Sequence, residues 1–109
     1  MTVKLITKEI SKLAQKQYPL GSDMDNQDII AKFFTPDSNW TWYLMNQDPE
    51  DPSYLWGIVK GLEIEVGSFS LTELEESTGP FGLHIERDLY FKPRKASDVW
   101  RALQGGKHV

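Results

Sequence analysis

Two histidines, His84 and His108, are the whole imidazole complement of this chain, and only His84 sits within a run of other ionisable groups. In Leu83-His84-Ile85-Glu86-Arg87-Asp88 the side chains of His84, Glu86 and Asp88 alternate, so an extended backbone would aim all three one way as an acid–base set. A small hydrolase built on them would still need a nucleophile, and no Gly-x-Ser-x-Gly elbow precedes any helix. A surface histidine beside a surface glutamate accounts for the run without chemistry. Cysteine is absent, which removes disulfides, thiolate metal ligands and cysteine nucleophiles in one step.

Asp48, Glu50 and Asp51 offer hard oxygen ligands, but Pro49 and Pro52 break the alternating spacing of an EF-hand loop and its sixth-position glycine is missing. A solvated charged turn is the simpler reading. Gly79-Pro80-Phe81-Gly82 follows a helix instead of preceding one, the wrong order for a phosphate loop. The sequence therefore predicts a non-enzymatic protein with no metal and no other cofactor.

Trp40-Thr41-Trp42-Tyr43 could stack unpaired bases on a sheet face. Such sites need a basic groove, whereas these strands carry Glu63 and Glu65 and are flanked by Asp48, Glu50 and Asp51. Trp40 and Trp42 are accordingly expected in the core, with Tyr43 or Tyr54 exposed.

The charge is sorted by position. From Gln17 to Phe91 there are 14 acidic side chains against only Lys32, Lys60 and Arg87, while both ends are basic, so a formal net charge of −4 conceals an acidic middle. That middle attracts basic surfaces and repels phosphates unless folding disperses it. The expected working face comprises Asp48, Glu50, Asp51, Glu63, Glu65, Glu73, Glu75 and Glu76. Lys92, Arg94, Lys95 and Arg101 are the candidate phosphate contacts. Placed beside Lys4, Lys8, Lys12 and Lys16, they would form a basic patch with steeply salt-dependent binding.

The elements that must position these groups follow from periodicity. Thr7 can cap a helix to about Gln17, with Ile6, Ile10, Leu13 and Ala14 on one face, ended by Pro19 and Gly21. Ile29–Phe34 and Trp40–Met45 read as strands joined by the Thr35–Asn39 turn. Tyr54–Val59 and Leu62–Phe69 form the next pair, turning at Lys60-Gly61. Ser70-Leu71-Thr72-Glu73 is a capping box, and Phe69 with Leu74 occupies the positions of a hydrophobic staple. A strand over Asp88–Phe91 and a helix over Asp98–Gln104, capped by Ser97, complete the order α-β-β-β-β-α-β-α. The predicted fold class is α+β, with a mostly antiparallel sheet of about five strands and three short helices. One domain over residues 1–109 is expected, with residues 105–109 as a flexible tail. The aromatic surplus could serve a core or a homo-oligomer interface, so the oligomeric state stays open. Neither an apolar leader nor a run of roughly 20 apolar residues is visible, so a cytoplasmic protein without membrane contact is expected.

Two runs look familiar. Lys32-Phe33-Phe34-Thr35-Pro36 with Trp40-Thr41-Trp42-Tyr43 is one. Gly67-Ser68-Phe69-Ser70-Leu71-Thr72-Glu73-Leu74-Glu75, continuing through Gly79-Pro80-Phe81-Gly82-Leu83 to Ile85-Glu86-Arg87-Asp88-Leu89-Tyr90-Phe91-Lys92-Pro93, is the other. With the Leu5-Ile6-Thr7-Lys8 opening, they resemble the small bacterial proteins of domain of unknown function 2958, over about residues 5–93. The resemblance implies genes carried on plasmids, integrative elements and phages, often near anti-restriction functions. It further implies an anti-CRISPR protein directed at a type II RNA-guided nuclease, and it carries no catalytic residues. The expected partner is then the effector or its guide-loaded complex, whose guide and target lie in a positively charged channel. Direct nucleic acid binding through the basic termini is the second expectation.

Overall fold

The computed structural model describes residues 4–109; Met1–Val3, part of the stretch read for a leader, lie outside the described residues. The first helix, α1 (Lys8–Gln17), begins where predicted, the Thr7 hydroxyl accepting from the Ile10 amide at 3.2 Å. One 3-10 turn over Tyr18–Leu20 then leads to Gly21, whose φ of 55° lets the chain reverse.

The strands are β1 (Asp28–Ile29), β2 (Ala31–Phe34), β3 (Thr41–Gln47), β4 (Tyr54–Lys60), β5 (Ile64–Ser70), β6 (Glu86–Arg87) and β7 (Arg94–Lys95). Helix α2 (Leu71–Glu76) lies between β5 and β6, and α3 (Ala96–Gln104) follows β7. Five strands form an antiparallel sheet in the order β5-β4-β3-β2-β6, and β1 pairs with β7 in a separate two-stranded ribbon. The fold is α+β, with the main elements in the predicted order.

Alternation along β3 builds an apolar layer on each face of the sheet. Leu44 joins Ala14 of α1, Leu74 of α2, Phe33 and Leu55 on one side. Tyr43 and Met45 join Ile58, and Val99 and Leu103 of α3, on the other. Helices α1 and α2 therefore cover one face and α3 covers the opposite one.

Several expectations need correcting. The strand predicted over Ile29–Phe34 breaks at Ile30. Strict alternation would put Ile29, Ala31 and Phe33 on one face, whereas Ile29 faces α3 and the other two face α1. The strand predicted over Asp88–Phe91 is instead Glu86–Arg87. The Asp88 carboxylate accepts from the Tyr90 amide at 2.9 Å, and this local turn replaces the ladder. Ser97 does not cap α3, which starts one residue before it. The first amides are satisfied by loop carbonyls, Ala96 donating to Gln27 at 2.9 Å and Ser97 to Met24 at 3.1 Å.

Aromatic burial also differs. Tyr43 is buried, its hydroxyl donating to the Val109 main-chain oxygen at 2.9 Å, while Trp40 is 42% exposed. Tyr54 is exposed, as expected. Tyr43 follows the α3-facing parity of its strand, and α3 supplies the cover. Trp40 has the opposite parity, stacks on Trp42 and precedes the first paired residue of β3, outside the cluster that α1 and α2 cover. Leu13, assigned to the apolar face of α1, is exposed, and so is Leu62, which precedes β5.

Candidate functional site

The β3–β4 loop and α2 meet at one end of the sheet, which gathers six of the eight predicted acidic residues. The join is made by Ser53. Its carbonyl accepts from the Leu71 amide at 2.8 Å, and its hydroxyl accepts from the Thr72 amide at 3.1 Å. Ser70, paired with Tyr54 across the ladder, accepts from the Glu73 amide at 3.2 Å, so the capping residue is also the last residue of β5. The staple closes too, with Leu74 buried and Phe69 packed on the same cluster. In this way Asp48, Glu50 and Asp51 are brought beside Glu73, Glu75 and Glu76.

Two of these carboxylates also build the loop. Asp48 accepts from the Glu50 amide at 2.8 Å, and Asp51 from the Ser53 amide at 3.3 Å. Among the described residues the ion pairs are Lys32–Asp88 and Arg101–Asp98, so no cation neutralises any of the six. Glu63 and Glu65 do not join them. Ile64 pairs with Lys60 and Ser70 with Tyr54, so the β4–β5 turn that holds Glu63 is at the other end of the hairpin. Glu65 faces the side of the sheet that carries α2, about 13 Å along the strand from Phe69.

Tyr18 completes the acidic end, and the periodicity of α1 does not point to it. Its hydroxyl donates to the second Asp48 oxygen at 3.2 Å. The negative charge of Asp48 is the first cause of a phenol pKa raised above its ordinary value, and Tyr54 and Glu50 act in the same direction. Tyr18, Tyr54 and Trp56 line a depression of about 480 Å³ next to these carboxylates. The one sequence signal was Tyr18-Pro19 at the helix stop, where a side chain leaves the helical period.

The remaining candidates are more dispersed. Arg94 and Arg101 line a shallow depression with Lys107 and His108, whereas Lys92 and Lys95 are exposed and do not line it. Helices α1 and α3 cover opposite faces of the sheet, yet Phe91 and Pro93, on either side of Lys92, share a depression with Thr7, Glu9, Ile10 and Leu13 at α1. Arg101 pairs with Asp98 at 3.4 Å on an open surface, a contact of little energetic weight. His84 and Glu86 are exposed, and Asp88 is tied to Lys32 at 3.8 Å. No hydrogen bond joins these three among the described residues. Nor do three such ligating side chains cluster as a metal site there. No helix of the described residues is long and apolar enough to cross a membrane.

No match to the chain is found among curated proteins or solved structures. One family does match, described as Protein of unknown function (DUF2958), over residues 4–106. Nearly the whole chain is covered, and the protein belongs to that family.

Proposed function

We propose that this protein is a non-enzymatic anti-defence inhibitor that docks its acidic end onto a basic protein surface. The target we propose is the nucleic-acid channel of a type II RNA-guided nuclease, or its guide-loaded complex. One observation carries the docking surface: six carboxylates from two elements share one end of the sheet with no neutralising cation among the described residues. A rigid anionic end of this kind gains on-rate from steering and selectivity from charge complementarity. The choice of target rests on what resemblance to this family implies, genes on mobile elements near anti-restriction functions. A channel that binds a guide–target duplex through its backbone is the cationic surface such an end would fit.

The test is a purified cleavage assay paired with a pull-down. Inhibition with a stable complex supports the reading, and binding should weaken from low to moderate salt. Undiminished cutting at excess inhibitor, with no complex formed, refutes it. A second reading, nucleic acid contact through Lys92, Arg94, Lys95 and Arg101, has one supporting observation, the shared depression of Arg94 and Arg101. A gel shift by the isolated protein that is lost on neutralising Lys92, Arg94 and Lys95 would favour it.

A further inference from the structure

A cleft of about 670 Å³ lies at the end of the strands opposite the acidic loop, between the β2–β3 and β4–β5 turns. Its volume is within the roughly 300–1,000 Å³ range of small-molecule sites. Four kinds of group line it, one being the Asp88 carboxylate, which pairs with Lys32. Trp40 provides an exposed indole, Lys60 and His108 provide nitrogen groups at the wall, and Ser38 and Asn39 provide short polar side chains. Lys32 and Lys60 are two of only three cations between Gln17 and Phe91, and both line this one cleft. The acidic middle of the chain has thus placed most of its few positive charges together.

The two lysines are not equivalent. Lys32 is mostly buried, donating to the Val109 main-chain oxygen at 2.6 Å and pairing with Asp88 at 3.8 Å. It is already occupied. Lys60 has no carboxylate within ion-pair distance among the described residues, so its charge is available to a ligand.

Trp40 is held as a platform. Its ring stacks on Trp42 with centroids 6.2 Å apart and planes 25° from parallel. The same ring lies against Gly61, where an added Cβ would sit 2.2 Å from Cζ3, so the glycine permits the close approach. The turn before it is tied as well: Thr35 donates its amide to the Trp40 carbonyl at 3.0 Å, and its hydroxyl accepts from the Trp40 amide at 3.1 Å. A partly exposed indole and an ammonium outside any ion pair, lining one cleft, are the groups that bind a base and its phosphate.

We propose that this cleft binds a nucleotide, its base stacked on Trp40 and its phosphate held by Lys60 and His108. The polar groups of Ser38 and Asn39 stand where a base edge would need partners. The site is independent of the acidic end, which is at the other end of the same strands. The same chemistry is offered by a free mononucleotide and by one residue of a single strand.

The experiment follows the indole resonances by NMR while the full chain is titrated with adenosine 5′-monophosphate, adenosine, inorganic phosphate or a four-nucleotide single strand. Adenosine monophosphate should shift the Trp40 indole saturably, adenosine should bind at least about tenfold more weakly, and phosphate alone should leave Trp40 unmoved. Trp40→Ala should weaken binding by about 5- to 150-fold, and Lys60→Gln should weaken it and flatten its salt dependence. Lys60→Gln keeps the test open should Trp40→Ala fail to fold. Tighter binding of the tetranucleotide assigns a strand, and equal or weaker binding assigns the free nucleotide. No saturable shift at millimolar ligand, or unchanged affinity in both folded variants, overturns the proposal. Replacing Glu50, Glu75 and Glu76 by Gln should leave nucleotide binding intact, which separates this site from the docking surface.

Discussion

The triple variant Glu50→Gln, Glu75→Gln, Glu76→Gln should lose the proposed inhibition without losing stability. These three are chosen because, among the described residues, their carboxylates accept no hydrogen bond. Asp48 and Asp51 hold turn amides, and Glu73 belongs to the first turn of α2, where a negative charge suits the helix dipole. Glu75 and Glu76 are in the last turn, where the dipole disfavours them, so neutralising them should leave the melting temperature unchanged or slightly raised. The formal net charge moves from −4 to −1. An exposed ion pair is worth about 0.2–1 kcal/mol, so three pairs with a cationic partner total about 0.6–3 kcal/mol. That corresponds to binding weakened by about 3- to 150-fold. The assay is the concentration giving half-inhibition of a purified type II nuclease, measured at low and moderate salt beside a thermal melt. The variant should also show a shallower salt dependence than the parent protein. A folded variant that inhibits within about twofold of the parent would refute the reasoning, because even the low end of the pairwise range predicts more.

Three further outcomes test the frame that carries both sites. Gly57→Ala should cost at least about 3 kcal/mol in denaturant unfolding, because an added Cβ would meet the Tyr43 carbonyl oxygen at 1.9 Å and the Met45 amide nitrogen at 3.1 Å, both main-chain atoms of the central strand. Burial, and secondarily the charge of Asp88, push the Tyr43 phenol up to about 12, so its stabilising contribution is complete below pH ~10 and is lost as pH rises toward 12. Tyr43→Phe should therefore flatten the pH dependence of stability in that window, which alkaline melts read directly. Ser70→Ala should destabilise by about 1 kcal/mol through loss of the bond to the Glu73 amide, seen as a lower urea midpoint at constant slope.

What could be read from the chain alone was local. Thr7 and Ser70 announce their helices because a capping hydroxyl and the apolar period after it are nearest-neighbour facts. The Thr35–Asn39 turn and the two flanking strands are legible for the same reason. Ser97 misled because a cap is needed only if nothing else meets the first amides, and here the Met24 and Gln27 carbonyls do, from about 70 residues away. Tyr43 and Trp40 exchanged places because burial on a two-sided sheet depends on how far the covering helices reach on each face, which period two does not encode. The eight acidic residues divided six to two for a topological reason. A β-hairpin puts its turn and its open end at opposite poles, so Glu63 and Glu65 are separated from residues that follow them closely in sequence. Tyr18, just past α1, could be placed beside Asp48 only once the helix and β3 were docked.

Strand β4 connects the two candidate sites. Tyr54 at its first position borders the acidic end, and Lys60 at its last position lines the cleft, six residue steps or about 20 Å apart. Both ends are fixed to one rigid hairpin, with Tyr54 opposite Ser70 and Lys60 opposite Ile64. Groups that far apart with no shared partner should act additively, within about 0.3–0.5 kcal/mol. Combining Lys60→Gln with the Glu50, Glu75 and Glu76 replacements should therefore give the sum of the separate effects on nuclease inhibition if the two surfaces bind different things. Coupling well beyond that margin would mean that one partner spans both ends, contacting protein at the acidic pole and a nucleotide at the basic one. A guide-loaded nuclease presents both chemistries within one channel, so for the proposed target the sign and size of that coupling would show whether this protein engages the nuclease alone or the nuclease with its nucleic acid.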